Sequence, residues 1–510
     1  MSSSDGNKRI AVNTCFLYIR MCVVMLISLY TTRVVFRVLG TEDYGIYNVV
    51  CAFVAMFGIF NTCFSASISR FYNYEIGQKQ EYRVKIVYNT SLLIQLLLAL
   101  LVVLIVELIG SWYIDNVMFL PVERLSTAKW VFHFAVISMF LTIVQAPYSA
   151  LIMAYEKMSF YAFVSMFDAF IRLFFIFILQ YVNGDKLYIY GILMFLISVF
   201  NFALYFSYCK IRFPVIRLCR FIDKAMLRSM LSFAGWNLLD PIAYMARDQG
   251  TNMVFNSYVG PVANAAQGIA YQITNAVGGF SKNFSVSFIP QIIQSYSEKQ
   301  YNRTKTLMLG MSKICYMLHI MIVIPLILEI QYVLNLWLGN DVPIYTSSFA
   351  CIILCITSVS LLNTPISTVA SATGHIRKIK VFSAIVISSI VPISIILFEL
   401  GFPPLLIYIV LFGITLINQF GSVVILHRLF PYINPIEYVK LLVWPIFIYT
   451  ICVFLLPFLI NFMFPPSIWR LLFVILSSIV CAFCFGYIIV LDKAEKEWLK
   501  NQLLKKFIRV

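Results

Sequence analysis

Apolar runs of about twenty residues, the length a bilayer's hydrocarbon core requires, alternate with short polar stretches along most of this 510-residue chain. Fourteen membrane helices are predicted from them, at about 13–36, 44–69, 84–110, 127–152, 160–182, 187–209, 231–256, 262–289, 306–330, 346–370, 381–400, 405–426, 438–460 and 468–491. Between the sixth and seventh, Lys210, Arg212, Arg217, Arg220, Lys224 and Arg228 interrupt the pattern. That break reads as a basic cytoplasmic linker at 210–230, joining a six-helix lobe at 1–209 to a second at 231–427. Two further helices follow within 428–491, then a basic amphipathic tail at 492–510. The predicted fold class is an all-α polytopic membrane protein.

The two lobes repeat each other. GQKQEYRVK at 77–85 and SEKQYNRTK at 297–305 align Lys79, Gln80, Arg83 and Lys85 with Lys299, Gln300, Arg303 and Lys305, a shift of about 220 residues. Gly40 and Gly260 keep that register, while Pro147 and Ala154 pair with Pro365 and Ala372 at a shift near 218. Six helices per lobe is an even number, so both lobes enter from the same side and a pseudo-two-fold axis is expected along the membrane normal. The last two helices have no counterpart.

Composition excludes a soluble protein: 61% of residues are hydrophobic, 12% are charged and the mean hydropathy is +0.89. The net charge of +16 could suggest nucleic acid, but topology explains it better. With the N-terminus in the cytoplasm, inner loops hold roughly 27 Lys and Arg residues and outer loops about four, namely Arg37, Arg124, Lys129 and Lys186. Both termini are then cytoplasmic. The tail intersperses Lys493, Lys496, Lys500, Lys505 and Lys506 with Trp498, Leu499, Leu503, Phe507 and Ile508. It suits either an amphipathic helix on the acidic inner leaflet or a solvated basic end. The first eight residues are polar and lead into a helix carrying Arg20, without the layout of a signal peptide, so that helix is expected to be retained. Cys481 and Cys484 lie inside an apolar run, where packing is the expected role and no metal site is assigned.

No phosphate-binding loop, zinc-protease or nucleophile-elbow motif is present, and the four histidines are far apart, so no catalytic residue and no cofactor is assigned. Charges inside apolar helices, each costing about 2.5–3.5 kcal/mol on insertion scales, mark the candidate site instead. In the seventh helix Trp236, Asp240, Tyr244, Arg247 and Thr251 fall on one face, and in the eighth Asn264, Gln267, Tyr271, Asn275, Gly278 and Lys282 do the same. Such stripes either line a wet cavity or lock the bundle through hydrogen bonds. In the first helix Arg20 shares a face with Asn13 and Thr31, and it either enters the cavity or snorkels to the interface. Arg33 sits near the outer end of that helix. Asn61, Ser65 and Ser69 make a milder stripe in the second, and Asp168 and Arg172 are spaced for an internal ion pair. Lys313 has no evident local partner in sequence. Asp240 and Asp248 only partly offset Arg20, Arg247, Lys282 and Lys313, and the resulting cationic surplus suits an anionic substrate, with arginine matched to phosphate.

These residues lead to a family resemblance. RVVFRVLGTEDYGIYNVV at 33–50 resembles the turn after the first helix of bacterial polysaccharide transporters, the Wzx-type oligosaccharide flippases. QAPYSALIMAYEKMSFYA at 145–162 and VASATGHIRK at 369–378 are similar to their fourth-to-fifth and tenth-to-eleventh connections, so the layout is shared over roughly the first 430 residues. The resemblance implies the multidrug/oligosaccharidyl-lipid/polysaccharide exporter fold, two six-helix lobes in a V. It implies a cargo too, an undecaprenyl-pyrophosphate-linked repeat unit of O-antigen, capsule or exopolysaccharide, moved across the bacterial inner membrane by alternating access. On this expectation Arg20, Arg247 and Lys282 hold the pyrophosphate. Asp240, Tyr244, Asn264, Gln267, Tyr271 and Asn275 hold the glycan or gate the path, with Arg33, Lys313 and Asp248 as a second tier. The implied partners are the lipid-linked oligosaccharide, membrane lipids, and the polysaccharide polymerase with its chain-length machinery, with no nucleic acid.

Three rivals remain open. A drug or organic-cation antiporter of the same superfamily would depend on Asp240 or Asp248. The fourteen-helix count suits a flippase of peptidoglycan precursor. A glycan polymerase or ligase would need large reactive outer loops, whereas the longest, at 110–126, offers only Asp115, Glu123 and Arg124 as charged residues.

Overall fold

The computed structural model describes residues 3–116, 122–213, 223–259, 261–338, 342–491 and 496, and every regular element among them is helical. Packing divides the chain into two units, Met1–Leu238 and Leu239–Val510. Unit 1 holds α1 (Ser3–Met56), α2 (Gly58–Gly77), α3 (Glu81–Asn116), α4 (Val122–Ala154), α5 (Met158–Tyr181), α6 (Lys186–Arg212) and α7 (Lys224–Asn237). Unit 2 begins with α8 (Leu239–Tyr258), α9 (Pro261–Ser297), α10 (Tyr301–Leu328), α11 (Ile330–Leu338), α12 (Thr346–Ser360) and α13 (Asn363–Thr373). It continues with α14 (Arg377–Ser388), α15 (Ile390–Glu399), α16 (Pro404–Leu429), α17 (Pro435–Tyr438), α18 (Trp444–Met463) and α19 (Ile468–Phe485).

The chain is a multi-pass membrane protein. Ten stretches are long and apolar enough to cross a bilayer, and in the most apolar, within α3, only 33% of the best window is buried by protein. Its outward face carries Leu97, Leu100, Leu101, Leu104 and Leu108, a surface that only lipid can cover favourably. Fourteen spans are predicted from sequence. The other four fall on α1, α2, α7 with α8, and α9; parts of α1, α8 and α9 carry side chains outside the described residues.

Local chemistry sets the helix ends. Gly40, at φ +81°, divides α1 in two within the LGTEDYG turn, a conformation that costs glycine little. Lys79 and Lys299, matched in sequence, both take left-handed backbone at φ 57° and 61°. Each closes its helix in the same way: Gln80 N–H bonds Glu75 C=O at 3.2 Å and Gln300 N–H bonds Ser295 C=O at 2.9 Å, the six-to-one bond of a Schellman cap. Glu156 (φ 56°) and Gly374 (φ 81°) form another such pair, at the shift of about 218 that relates Ala154 to Ala372. Gly260, the partner of Gly40, lies outside the described residues. So do residues 214–222 of the basic linker and, apart from Lys496, the tail beyond 491.

Within unit 1, α4 packs along α3 and α6 around Val102, Val106, Phe132 and Val136, and α1 along α5 around Val34, Val35, Ile176 and Leu179. A charged knot ties three turns. Arg124 at the start of α4 meets Asp43 at 3.2 Å and Asp185 at 3.3 Å, while Asp185 caps α6 by accepting from Leu187 and Tyr188 N–H. Partial burial alone would raise the Asp185 pKa, but the Thr127 hydroxyl, the two backbone donors and Arg124 outweigh it and hold the carboxyl below its ordinary value. A depressed folded-state pKa means that the stabilisation is present above the unfolded value, near 3.9, and is lost as pH falls through the folded one. Asp185→Asn is therefore expected to melt earlier than the native chain at pH 7, with the gap closing below about pH 4; thermal denaturation in detergent across that range checks it.

In unit 2, α9 packs on α10 and α12, with Phe255, Phe349 and Tyr408 at the centre of the core. The last pair, α18 and α19, packs on α10. Polar pins set that contact: Tyr316 to Thr450 at 3.1 Å, the Ser478 hydroxyl to Met321 C=O at 3.2 Å, and Arg470 to the fully buried Glu329 at 2.7 Å. Each unsatisfied polar group would be costly among apolar helices, so such pins fix register.

Candidate functional site

The predicted seventh helix at 231–256 is not continuous. It ends at Asn237 and restarts at Leu239, so Trp236 belongs to unit 1 while Asp240, Tyr244, Arg247 and Thr251 belong to α8 of unit 2. Helical periodicity runs through a one-residue break without registering it, and that is why the sequence reading joined them.

Six residues singled out in the sequence gather in unit 2: Tyr244, Arg247, Asp248, Thr251, Gln267 and Tyr271. Arg247 is mostly buried and donates through Nε to Asp248 Oδ1 at 2.7 Å, with Nη2 at 2.6 Å from the same oxygen. Its guanidinium lies 4.8 Å from the Tyr244 ring centre, and Tyr271 O–H donates to Asp248 at 3.4 Å. The Gln267 amide donates to the Thr251 hydroxyl at 3.5 Å, and that hydroxyl donates to Arg247 C=O at 2.7 Å. The result is a guanidinium held between an aromatic face and a carboxylate, with hydroxyl and amide groups around it.

Asp240 has a different partner, one missed in the sequence. Lys380 of α14 donates to its Oδ2 at 2.5 Å and to the Ser367 hydroxyl at 3.3 Å. The two acids of α8 therefore each have a cation: Asp248 lies on Arg247, and Asp240 on Lys380, a cation that the sequence reading did not count. Only the long separation of 140 residues hid this, since Lys380 reads as one of a run of basic residues in a loop. Lys313 is buried in α10, and Asn275 is exposed on α9. The side chains of Arg33, Asn264 and Lys282 lie outside the described residues.

Unit 1 contains an open cavity of about 360 Å³ lined by α1, α4, α5 and α6. Asp168 and Arg172 form the expected ion pair on its wall, through Nε at 2.8 Å and Nη2 at 3.3 Å, and the Asn201 amide of α6 donates to Asp168 at 2.6 Å. Arg20 reaches toward this cavity, its guanidinium 5.1 Å from the ring centre of Tyr161, another wall residue. A neighbouring cavity of about 290 Å³, lined by Tyr47, Asn61 and Ser138, shares Thr142, Arg172 and Ser198 with the first. In sequence, Gln145 and Asn201 inside apolar runs were the available signal for it.

Comparison with known proteins places this geometry. Residues 10–295 match the model of a family described as polysaccharide biosynthesis protein. No curated protein matches the sequence. The fold is similar to that of a MATE protein solved in a straight conformation, with a TM-score of 0.71 at 15% identity over 83% of this chain and 97% of the other. It is similar as well to an outward-facing multidrug resistance MATE family transporter of the MOP superfamily, with a TM-score of 0.67 at 16% identity over 83% and 96%. A MOP superfamily transporter from Pyrococcus furiosus, whose reversed pocket polarity suggests a different function for that protein, gives 0.68 at 15% identity over 83% and 96%. Identities this low speak for the fold alone.

Proposed function

We propose, from the premise that this chain belongs to the polysaccharide biosynthesis protein family, that it is a flippase. Its cargo is an oligosaccharide on an undecaprenyl-pyrophosphate carrier, moved from the inner to the outer leaflet of the bacterial inner membrane by alternating access. The observation that carries this reading is the family match over more than half of the chain. Supporting it, the polar stripes read from the sequence fall on α1 and α2 of unit 1 and on α8 and α9 of unit 2. Helices that face water or a polar head group can be less apolar than those that face lipid.

The chemistry fits a diphosphate head group. Arginine offers a planar fork of donors matched to phosphate oxygens. In the resting arrangement Asp248, itself 39% exposed, occupies the fork of Arg247. A phosphate that displaces it exchanges one anion for another, so the guanidinium is never left uncompensated, and Tyr271 remains to hold the released carboxylate. Lys282 of α9, in the same unit, is a further phosphate ligand on this reading, and the glycan lies against the Tyr, Gln and Asn groups of α8 and α9. The termini lie in the cytoplasm. A cation antiporter would need a carboxylate free to take up its cargo, whereas Asp168, Asp240 and Asp248 are all ion-paired.

The test is complementation of a deletion strain, reading the leaflet in which the lipid-linked oligosaccharide accumulates. Arg247→Ala is expected to reduce export about 10- to 100-fold, the worth of a charge-assisted hydrogen bond, and Arg247→Ala with Lys282→Ala to reduce it further. Normal surface glycan in the double variant would refute the assignment.

A further inference from the structure

We infer that the cavity inside unit 1 is a recognition subsite for a single pyranose ring carrying an exocyclic carbonyl oxygen, as a uronate or an N-acetyl sugar does. This rests on the flippase reading and deepens it by assigning where, and by which chemistry, one sugar of the cargo is read.

Three observations carry the inference. The first is size and lining. About 360 Å³ is at the lower end of small-molecule pockets. It has room for one ring rather than an oligosaccharide, and its walls come from α1, α4, α5 and α6 alone, so the subsite is complete within one unit.

The second is the set of uncommitted polar groups. Among the described residues, the hydroxyls of Tyr161 and Tyr205 and the amide of Gln145 line the cavity with no hydrogen-bond partner. Tyr205 is only 4% exposed. The residue is buried but its hydroxyl is not sealed off, so the hydroxyl can take a partner from the cavity, and the ligand supplies it. Two aromatic rings beside donor and acceptor groups suit the mixed apolar faces and hydroxyl edges of a sugar.

The third is how the charges are spent. Asp168 accepts from Arg172 twice and from Asn201, so three of its roughly four acceptor sites are taken and its charge is already paired. Arg172 keeps its Nη1 edge on the sulfur of Met194, at 3.3 Å. A thioether is a weak acceptor, and a carboxylate or acetamido oxygen entering the cavity would replace it with a stronger one. Gln145, with both donors and an acceptor free, complements the same exocyclic group.

The experiment is saturation-transfer NMR on the purified full-length chain in nanodiscs, with methyl glucuronide, methyl N-acetylglucosaminide and methyl glucoside as probes. One of the two carbonyl-bearing glycosides is expected to show transfer at least about threefold above the plain glucoside, and which one it is identifies the substituent. Tyr205→Phe and Gln145→Ala, which remove uncommitted groups and leave the Asp168–Arg172 pair intact, should each weaken that binding about three- to tenfold. Equal signals from all three glycosides, or binding unchanged in both variants, would overturn the subsite. Export assays on the same variants separate the two claims. If the deletion strain needs the gene but Tyr205→Phe and Gln145→Ala export normally, the subsite fails and the flippase reading stands. If surface glycan is normal without the gene, the flippase reading itself fails.

Discussion

Arg470→Leu is expected to destabilise the protein by about 3–5 kcal/mol, the cost of leaving one member of a buried ion pair without its partner. Glu329 is fully buried at the junction of α10 and α11, and Arg470 in the first turn of α19 reaches it at 2.7 Å. Asn461 of α18 donates to the same carboxylate at 3.0 Å. Without Arg470 the carboxylate would have to stay charged with one amide donor or take up a proton. The double variant Glu329→Leu with Arg470→Leu removes both charges and should recover most of the loss, since Asn461 retains its bond to Leu328 C=O. Thermal denaturation of detergent-solubilised protein reads both values. A double variant as unstable as Arg470→Leu alone would show that the pair is not what holds α19 to α10.

The second large effect is expected at Asp240 and Lys380. Lys380→Met should abolish most export and lower stability, because it strands a carboxylate among apolar helices. The informative variant is the exchange, Asp240→Lys with Lys380→Asp. If the pair serves to fasten α8 to α14, the exchange restores stability and export together. If Asp240 also contacts cargo, stability returns while export stays low. Melting temperature and surface glycan, measured on the same strains, distinguish the two.

The sequence made the duplication and the break at Gly40 legible because both depend on local chemistry. A left-handed residue or a proline leaves its mark within a few positions. It made the polar faces of α8 and α9 legible for the same reason, as side chains three and four apart share a face whatever lies opposite. What lies opposite was not legible. Lys380 was invisible as the partner of Asp240, and Asn201 as a partner of Asp168, because tertiary packing alone brings those helices together. The cavity in unit 1 escaped for a related reason: Tyr161, Ser165, Asp168 and Arg172 share one face of α5, but only packing brings Thr142 and Gln145 of α4 and Ser198, Asn201 and Tyr205 of α6 opposite them. The boundary at Leu238 depends on which neighbours α7 finds, namely α2 and α3.

The two left-handed lysines have a consequence of another kind. Glycine would relieve the cost of about 1–2 kcal/mol that the conformation imposes on other residues, yet lysine stands at both places. A positive charge beside a nascent hydrophobic segment resists being carried through the translocon. Lys79 and Lys299 therefore bear on two events in the life of the chain, the insertion of the loop during synthesis and the termination of the helix afterwards. Substitution by glycine should leave the finished cap intact while weakening the signal for which way the new chain is threaded.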